Sequence, residues 1–235
     1  MSWRLGALSL GPLRAGTSIR NRMWIAALVV CAPGVICSQL VAVPVAGATA
    51  PVFADGFESG TMAGYVHVTH SGVQTAVVHG GAWAWRATNP NGAPSFAYHT
   101  LGGSYRQVHV DAWVYLVSHA SSVKLFVVRP AAQRSLEVYV DVKNRVSVRN
   151  NIGAVTTYGR TTMANGGWHR VVLDATIGNG TGKFAVAVDG VAVPGLTLTG
   201  QNLGTLPFGE LRLGDTATAA TFDIAIDDVA VTAVP

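Results

Sequence analysis

The chain has 235 residues, of which 12% are charged and 49% hydrophobic, and it carries 16 Lys and Arg against 12 Asp and Glu. Its net charge of +4 comes from four arginines within the first 48 residues, a stretch that contains no acidic residue; they are Arg4, Arg14, Arg20 and Arg22. The remaining 12 basic residues balance the 12 acidic ones. The basic isoelectric point therefore does not indicate a nucleic-acid-binding domain.

Residues 1–48 are predicted to be a secretory leader. Arg20 and Arg22 precede an apolar run over 23–35, which passes into small residues ending at Ala46-Gly47-Ala48. This order of basic, apolar and small residues is that of a signal peptide. Residues 23–45 are also long enough to span a bilayer, so an uncleaved anchor is the alternative. We expect residues 49–235 to be a secreted extracellular domain without membrane contact once the leader is cleaved.

Both cysteines, Cys31 and Cys37, lie in the predicted leader. The domain that follows can therefore hold neither a disulfide nor a metal bound by cysteine. Its length is sufficient for one substantial hydrophobic core. A bound metal could supply part of the stability that disulfides give many extracellular domains.

Alternation of apolar and polar residues is the dominant pattern after residue 100, and it predicts β-strands because successive strand side chains point to opposite faces. In 105–116 the aliphatic residues are expected to face the core and the polar and aromatic ones to face outward. The same period occurs at 123–127, 136–142, 146–149, 169–173, 184–188, 211–213 and 222–231. Tight turns are predicted at Lys143-Asn144 and at Asp189-Gly190. Short strands with regular turns predict an all-β, two-sheet antiparallel sandwich or jelly roll in one domain.

Five short segments follow one another in this order: FADGFESG at 53–60, GWHRV at 167–171, VDGV at 188–191, LRLGD at 211–215 and IDDV at 226–229. Together they resemble concanavalin A-like, laminin G-type jelly-roll modules of secreted bacterial proteins. The resemblance covers nearly all of 49–235 and implies a two-sheet jelly roll. It also implies one of several roles, since this fold hosts lectins, carbohydrate-binding modules, adhesins, lyases and glycosidases.

Four carboxylates form the candidate metal site: Asp55 and Glu58 near the start of the domain, and Asp227 and Asp228 near its end. First and last strands commonly pair in sandwiches of this kind, which would bring the four together. Ligands that are all oxygen favour a hard cation, and we expect a structural calcium. The resemblance implies the same site. Alternatively, these acids belong to a turn and a strand end and are simply solvated.

Four outward-facing residues form the candidate ligand-binding site: His109, Trp113, Tyr139 and Arg149. The alternation places His109 and Trp113 on the outward face, and we expect that face to continue onto the strands that carry Tyr139 and Arg149. Aromatic rings can pack on the apolar face of a sugar while polar neighbours bind its hydroxyls. The alternative is that Trp113 and Tyr139 only stabilise the sheet through cross-strand contacts.

Signs of catalysis are few. The E-x-D-x-x-E motif of related laminarinase-type hydrolases is absent. Glu137 and Asp141 share a strand face but lie about 13 Å apart at strand rise, too far for a two-carboxylate glycosidase. Gln107-Val108-His109 matches one motif of alginate lyases of this fold without its companion motifs. The sequence predicts a noncatalytic glycan-binding module. A structural or adhesive domain that binds protein is the first alternative, and a lyase or glycosidase is the second.

Overall fold

The computed structural model describes residues 50–89, 91–130 and 135–235; the predicted leader and both cysteines lie outside these residues. Within the described ranges the chain forms fifteen β-strands and no helix, and thus no helix that could cross a membrane. The strands are β1 Phe53–Asp55, β2 His67–Thr69, β3 Ser71–Gln74, β4 Ala84–Asn89, β5 Ser95–Tyr105, β6 Gln107–His119, β7 Val123–Arg129, β8 Leu136–Val140, β9 Arg145–Asn150, β10 Val155–Thr162, β11 Trp168–Thr176, β12 Gly182–Val188, β13 Val191–Gln201, β14 Phe208–Asp215 and β15 Phe222–Val234.

These strands form two antiparallel sheets. Sheet A has eight strands in the order β13-β12-β11-β6-β15-β4-β3, with β1 paired to β15 beside them. Sheet B has seven strands in the order β10-β9-β8-β7-β14-β5-β2. The predicted all-β, two-sheet antiparallel jelly roll is confirmed.

The core lies between the two sheets and follows the alternation of the sequence. Val110 and Val114 of β6 are fully buried, as are Leu211 and Leu213 of β14. Each such side chain contributes about 1.5–3 kcal/mol through burial. The inner faces of the sheets are therefore committed to packing, and polar side chains are left for the two outer faces.

Both predicted turns are present. Asp189 and Gly190 join β12 to β13 with φ angles of 52° and 79°, the left-handed conformation that a two-residue hairpin turn requires. Asn144 joins β8 to β9 with a φ of 61°. The Asp141 carboxylate accepts hydrogen bonds from the backbone N–H groups of Lys143 and Arg145 at 2.8 and 2.9 Å, which holds this turn closed.

Two bulges change which face a residue occupies. In β7 the register shifts between Lys124 and Phe126, and Phe126 is fully buried although strict alternation predicts that it faces outward. In β15 the register shifts between Asp227 and Ala230, and Asp228 has a φ of 47°. The extra residue of a bulge explains why the valines after Asp228 break the alternation of this strand.

Candidate functional site

The outer face of sheet B carries one continuous row of side chains that crosses all seven strands. Residues directly opposite each other on paired strands lie on the same face of a sheet, so the strand registers define the row. Its members, from β10 to β2, are Thr156, Arg149, Glu137, Val127, Arg212, Tyr98 and His67. We call this set the sheet B row.

Two arginines share one carboxylate near the centre of this face. Arg129 donates from Nε and Nη2 to the two Glu210 oxygens at 2.7 and 2.9 Å. Arg212 donates from Nη2 to Glu210 Oε1 at 3.0 Å. The side chain of Glu210 is only 9% exposed. A carboxylate in this position is a fixed acceptor for two guanidinium groups.

Aromatic rings lie beside this cluster. The Arg212 guanidinium sits 5.0 Å from the centre of the Phe96 ring and 5.8 Å from that of Tyr98. His67 packs against the same two rings at 5.4 and 5.9 Å. Burial lowers the pKa of Arg212, and the positive charge of Arg129 lowers it further. Arg212 is thus a cation held in a partly desolvated, aromatic environment.

A hollow of about 250 Å³ opens on sheet B beside β7 and β8, lined by Lys124, Glu137 and Tyr139 among others. Lys124 is paired with Asp215 at 2.7 Å. Burial raises the pKa of the Tyr139 phenol. Tyr158 lies beside it on β10 and is 54% exposed. The hollow and its surroundings therefore present phenol groups and one balanced ion pair to a ligand.

The predicted ligand-binding residues lie on two different sheets, so the expectation that they share one face is wrong. Tyr139 and Arg149 are on sheet B, whereas His109 and Trp113 are on β6, between β11 and β15 of sheet A. Strands that follow each other closely in sequence usually pair. The short connection from β6 to β7 instead crosses from one sheet to the other.

The outer face of sheet A is largely occupied by its own contacts. His79, from the loop before β4, stacks on Trp113 with ring centres 3.8 Å apart and bonds through Nδ1 to Asp228 at 2.7 Å. His109 bonds through Nδ1 to Asp174 at 2.8 Å. Trp113 is therefore covered on one face, and its ring is less available to a sugar than the sequence suggests.

The predicted pairing of the first and last strands is confirmed, because Asp55 of β1 lies opposite Val229 of β15. The carboxylates near Asp55 accept hydrogen bonds from backbone N–H groups. Asp227 accepts hydrogen bonds from the N–H groups of His79, Gly80 and Asp228, and Glu58 accepts them from Ala82 and Trp83.

Space around Asp228 is kept open by two glycines, since a Cβ on Gly56 or Gly80 would lie 3.3 Å from its carboxylate oxygens. Burial raises the pKa of both Asp55 and Asp227. In the described ranges no three His, Cys, Asp or Glu side chains converge as a metal site. Carboxylate oxygens are ligands that a hard cation prefers, but no three of these carboxylates converge, and Asp55, Glu58 and Asp227 accept hydrogen bonds from backbone N–H groups. Calcium therefore stays a prediction.

Comparison with known proteins places this architecture. A laminin G-type family model, described as the concanavalin A-like lectin/glucanases superfamily, matches residues 106–234, which is just over half of the chain. The chain belongs to this superfamily. The resemblance derived from the sequence is thereby confirmed. No curated protein matches the chain.

Solved structures show the same concanavalin A-like fold. An endo-beta-1,4-glucuronan lyase from the fungus Trichoderma reesei aligns with a TM-score of 0.61 and 19% identity, over 78% of this chain and 96% of that one. A carbohydrate esterase from the Shiga toxin-encoding bacteriophage phi24B aligns with a TM-score of 0.57 and 16% identity, over 79% and 99%. An alginate lyase from a Chlorella virus aligns with a TM-score of 0.54 and 9% identity, over 76% and 96%.

Sequence reasoning missed the centre of the sheet B face in this concanavalin A-like domain. Arg129, Glu210 and Arg212 are far apart in the chain, and no motif links them. Alternation at Leu211-Arg212-Leu213 shows that Arg212 faces away from the core. Only the strand order shows that Arg212 and Tyr98 are neighbours.

Proposed function

We propose that the protein is a noncatalytic carbohydrate-binding module that holds a polysaccharide across the outer face of sheet B. The observation that carries this proposal is the sheet B row, which crosses seven strands and in which every member except the buried Val127 is polar, charged or aromatic. At about 4.8 Å per strand the line is roughly 29 Å long. A surface of that length suits an extended chain better than a single sugar.

The chemistry of the face supports the same function. Guanidinium, hydroxyl and carboxylate groups can bind sugar hydroxyls, while Tyr98, Tyr139 and Tyr158 present aromatic surface. The aligned lyases and esterase are named for glucuronan, carbohydrate and alginate. Those names describe the other proteins, and they support a polysaccharide as the class of ligand here.

Binding rather than glycoside hydrolysis is favoured by how the carboxylates of this face are engaged. Glu210, Asp215 and Asp141 each accept from a cationic side chain. A glycosidase of the usual kind needs two carboxyl groups, one of which carries a proton to donate. Glu137 alone lacks an ion-pair partner among the described residues, so it has no equivalent second carboxyl group beside it.

The proposal includes export and a structural calcium. The leader pattern of residues 1–48 supports secretion, and the all-oxygen donor set at Asp55, Glu58, Asp227 and Asp228 supports a hard cation. Calcium would stabilise the junction of β1 and β15. It would take no part in holding the sugar, because that junction belongs to sheet A.

Affinity electrophoresis of the purified protein in gels that contain neutral or acidic polysaccharides tests the proposal. We expect retardation by at least one polysaccharide. Tyr139→Ala should weaken binding about tenfold because a phenol ring on the binding face is lost. Trp113→Ala, on the opposite face, is the matched control and should bind as the unchanged protein does.

Three results would contradict the proposal. Failure to bind any polysaccharide would favour the structural or adhesive alternative. Release of shortened chains from a bound polysaccharide would show catalysis. Loss of binding in Trp113→Ala but not in Tyr139→Ala, with both variants folded by circular dichroism, would move the site to sheet A.

A further inference from the structure

The centre of the sheet B face carries more positive than negative charge. Arg129 and Arg212 share the single carboxylate of Glu210, and their side chains are 25% and 15% exposed. Two cations with one anion leave an excess charge of +1 in a place with little access to water. Like charges brought together in such surroundings are costly unless a further anion offsets them.

Arg212 shows this imbalance most clearly. Its Nε is buried and has no hydrogen-bond partner, while its guanidinium lies between Glu210 on one side and the rings of Phe96 and Tyr98 on another. A buried donor without an acceptor destabilises the folded state. The Arg212 guanidinium therefore keeps an uncompensated positive charge, and an anion at its exposed edge would offset that charge.

A second cation of the sheet B row has neutral hydrogen-bond partners among the residues that the structure describes. Arg149 donates to Asn151 Oδ1 at 3.2 Å and to Thr156 Oγ1 at 2.6 Å. Glu137 lies opposite Arg149 in the register, yet it accepts a hydrogen bond from the Ser135 hydroxyl at 3.0 Å and forms no ion pair within the described ranges. Counting Glu137 and Glu210 against the three arginines still leaves a net charge of +1.

Two further cations among the described residues of this face are balanced by carboxylates. Lys124 is balanced by Asp215, and Arg145 is balanced by Asp141. The excess therefore belongs to Arg129, Arg212 and Arg149. Arg149 and Arg212 lie in one row with two strands between them, which is about 14 Å.

We propose that this surface selects polysaccharides that carry carboxylate groups, and that uronate residues of one chain bind Arg212 with Arg129 at one point and Arg149 at another. The inference rests on the proposed function, which it narrows from polysaccharides in general to polyuronates. The planar guanidinium fork matches the geometry of a carboxylate. A chain that reaches both points gains from effective concentration, whereas a single uronic acid binds one point only.

Isothermal titration calorimetry of the purified protein tests separately whether carboxylate groups are preferred and whether a polymer binds more tightly than a single uronic acid. The probes are glucuronan, alginate and polygalacturonate, the carboxyl-reduced neutral form of each, a sulfated galactan, and monomeric glucuronic acid. We expect at least one polyuronate to bind at least tenfold more tightly than its reduced form and than the sulfated galactan. The monomer should bind more weakly still.

Equal binding of a polyuronate and its reduced form would overturn the inference and leave the proposed function standing. Preference for the sulfated galactan would overturn the choice of carboxylate. Binding of none of the polysaccharides would overturn the proposed function and the inference with it. All of these titrations use the unchanged protein, so their outcomes do not depend on whether a variant folds.

Two variants then locate the site. Arg149→Gln should weaken binding of a polyuronate about tenfold and binding of its carboxyl-reduced form much less, and Arg212→Gln should do the same if it folds. Arg170→Gln is the control, since it removes the same charge from the outer face of sheet A, where Arg170 pairs with Asp111. An equal loss in Arg149→Gln and Arg170→Gln would show general attraction by charge and overturn the assignment.

Discussion

The two outer faces of the sandwich satisfy their polar side chains in different ways. On sheet A, histidines are paired one to one with carboxylates, as in His79 with Asp228 and His109 with Asp174. A loop covers Trp113 on the same face. On sheet B, two arginines compete for Glu210. The histidines named on sheet A thus have their own carboxylate partners. The arginine cluster on sheet B keeps one positive charge that an additional anion would offset.

Exposed aromatic residues alone therefore do not identify a binding face. The Trp113 ring is larger than that of a tyrosine, and Trp113 alternates with the core residues of β6. His79 nevertheless stacks on one face of this ring. Arg212 is inconspicuous in the sequence, yet its buried Nε has no partner. A buried polar group without a partner needs an explanation, and at Arg212 we propose that the explanation is a binding site.

The largest effect is expected at the centre of sheet B. Glu210→Gln leaves two partly buried guanidinium groups without a counter-charge, and we expect a loss of about 3 kcal/mol in the free energy of unfolding. Urea unfolding followed by tryptophan fluorescence measures it. Asp111→Asn breaks the half-exposed pair with Arg170 on sheet A and should cost less than about 1 kcal/mol. Equal losses would erase the contrast between the faces.

The second prediction concerns the junction of β1 and β15 beside sheet A. Calcium at 100 times its dissociation constant would stabilise the protein by about 2.7 kcal/mol and raise the midpoint of thermal unfolding by several degrees. Differential scanning calorimetry with added calcium and with a chelator measures the shift. We expect Asp228→Asn to abolish it. Identical midpoints in calcium and chelator would remove the calcium proposal.

A smaller effect is expected at the turn between β8 and β9 in sheet B. Burial by itself would raise the pKa of Asp141, but hydrogen bonds from the Arg145 side chain and from backbone N–H groups outweigh it and lower that pKa below 3.8. Asp141→Asn keeps an oxygen acceptor and loses the ion pair, which should cost about 1 kcal/mol at pH 7.

The pH dependence has a definite sign. Because the folded-state pKa of Asp141 is depressed, its contribution is fully present above about pH 4 and is lost as the pH falls through the lowered value. The variant should therefore approach the unchanged protein in stability only in strong acid. A constant difference between the two from pH 7 to pH 2 would show that the charge of Asp141 is unimportant.

The smallest effect is expected on sheet A. His109→Gln removes the exposed pair with Asp174, whose side chain is 62% exposed. We expect a change within about 0.5 kcal/mol in unfolding free energy, since exposed pairs contribute little, and no change in polysaccharide binding. A clear loss of binding at constant stability would return His109 to the ligand site, as the sequence predicted.

Much of the fold could be predicted because it depends on local pattern. Alternation in β6 identified the buried valines, and Asp189-Gly190 identified a hairpin. The candidate site could not be predicted to the same extent, because it depends on which strands are neighbours. Arg212 lies beside Tyr98 through a pairing between residues more than a hundred positions apart, and nothing local encodes it.

Hydroxyl-radical footprinting with and without a bound polysaccharide tests most directly whether sheet B is the binding face. Oxidation of each aromatic side chain, read by mass spectrometry, reports its exposure. We predict that the ligand protects Tyr158, which is 54% exposed in the free protein, together with Tyr139, and leaves Trp113 and Trp168 unchanged. Protection of the two tryptophans without protection of the tyrosines would contradict the account and place the ligand on sheet A.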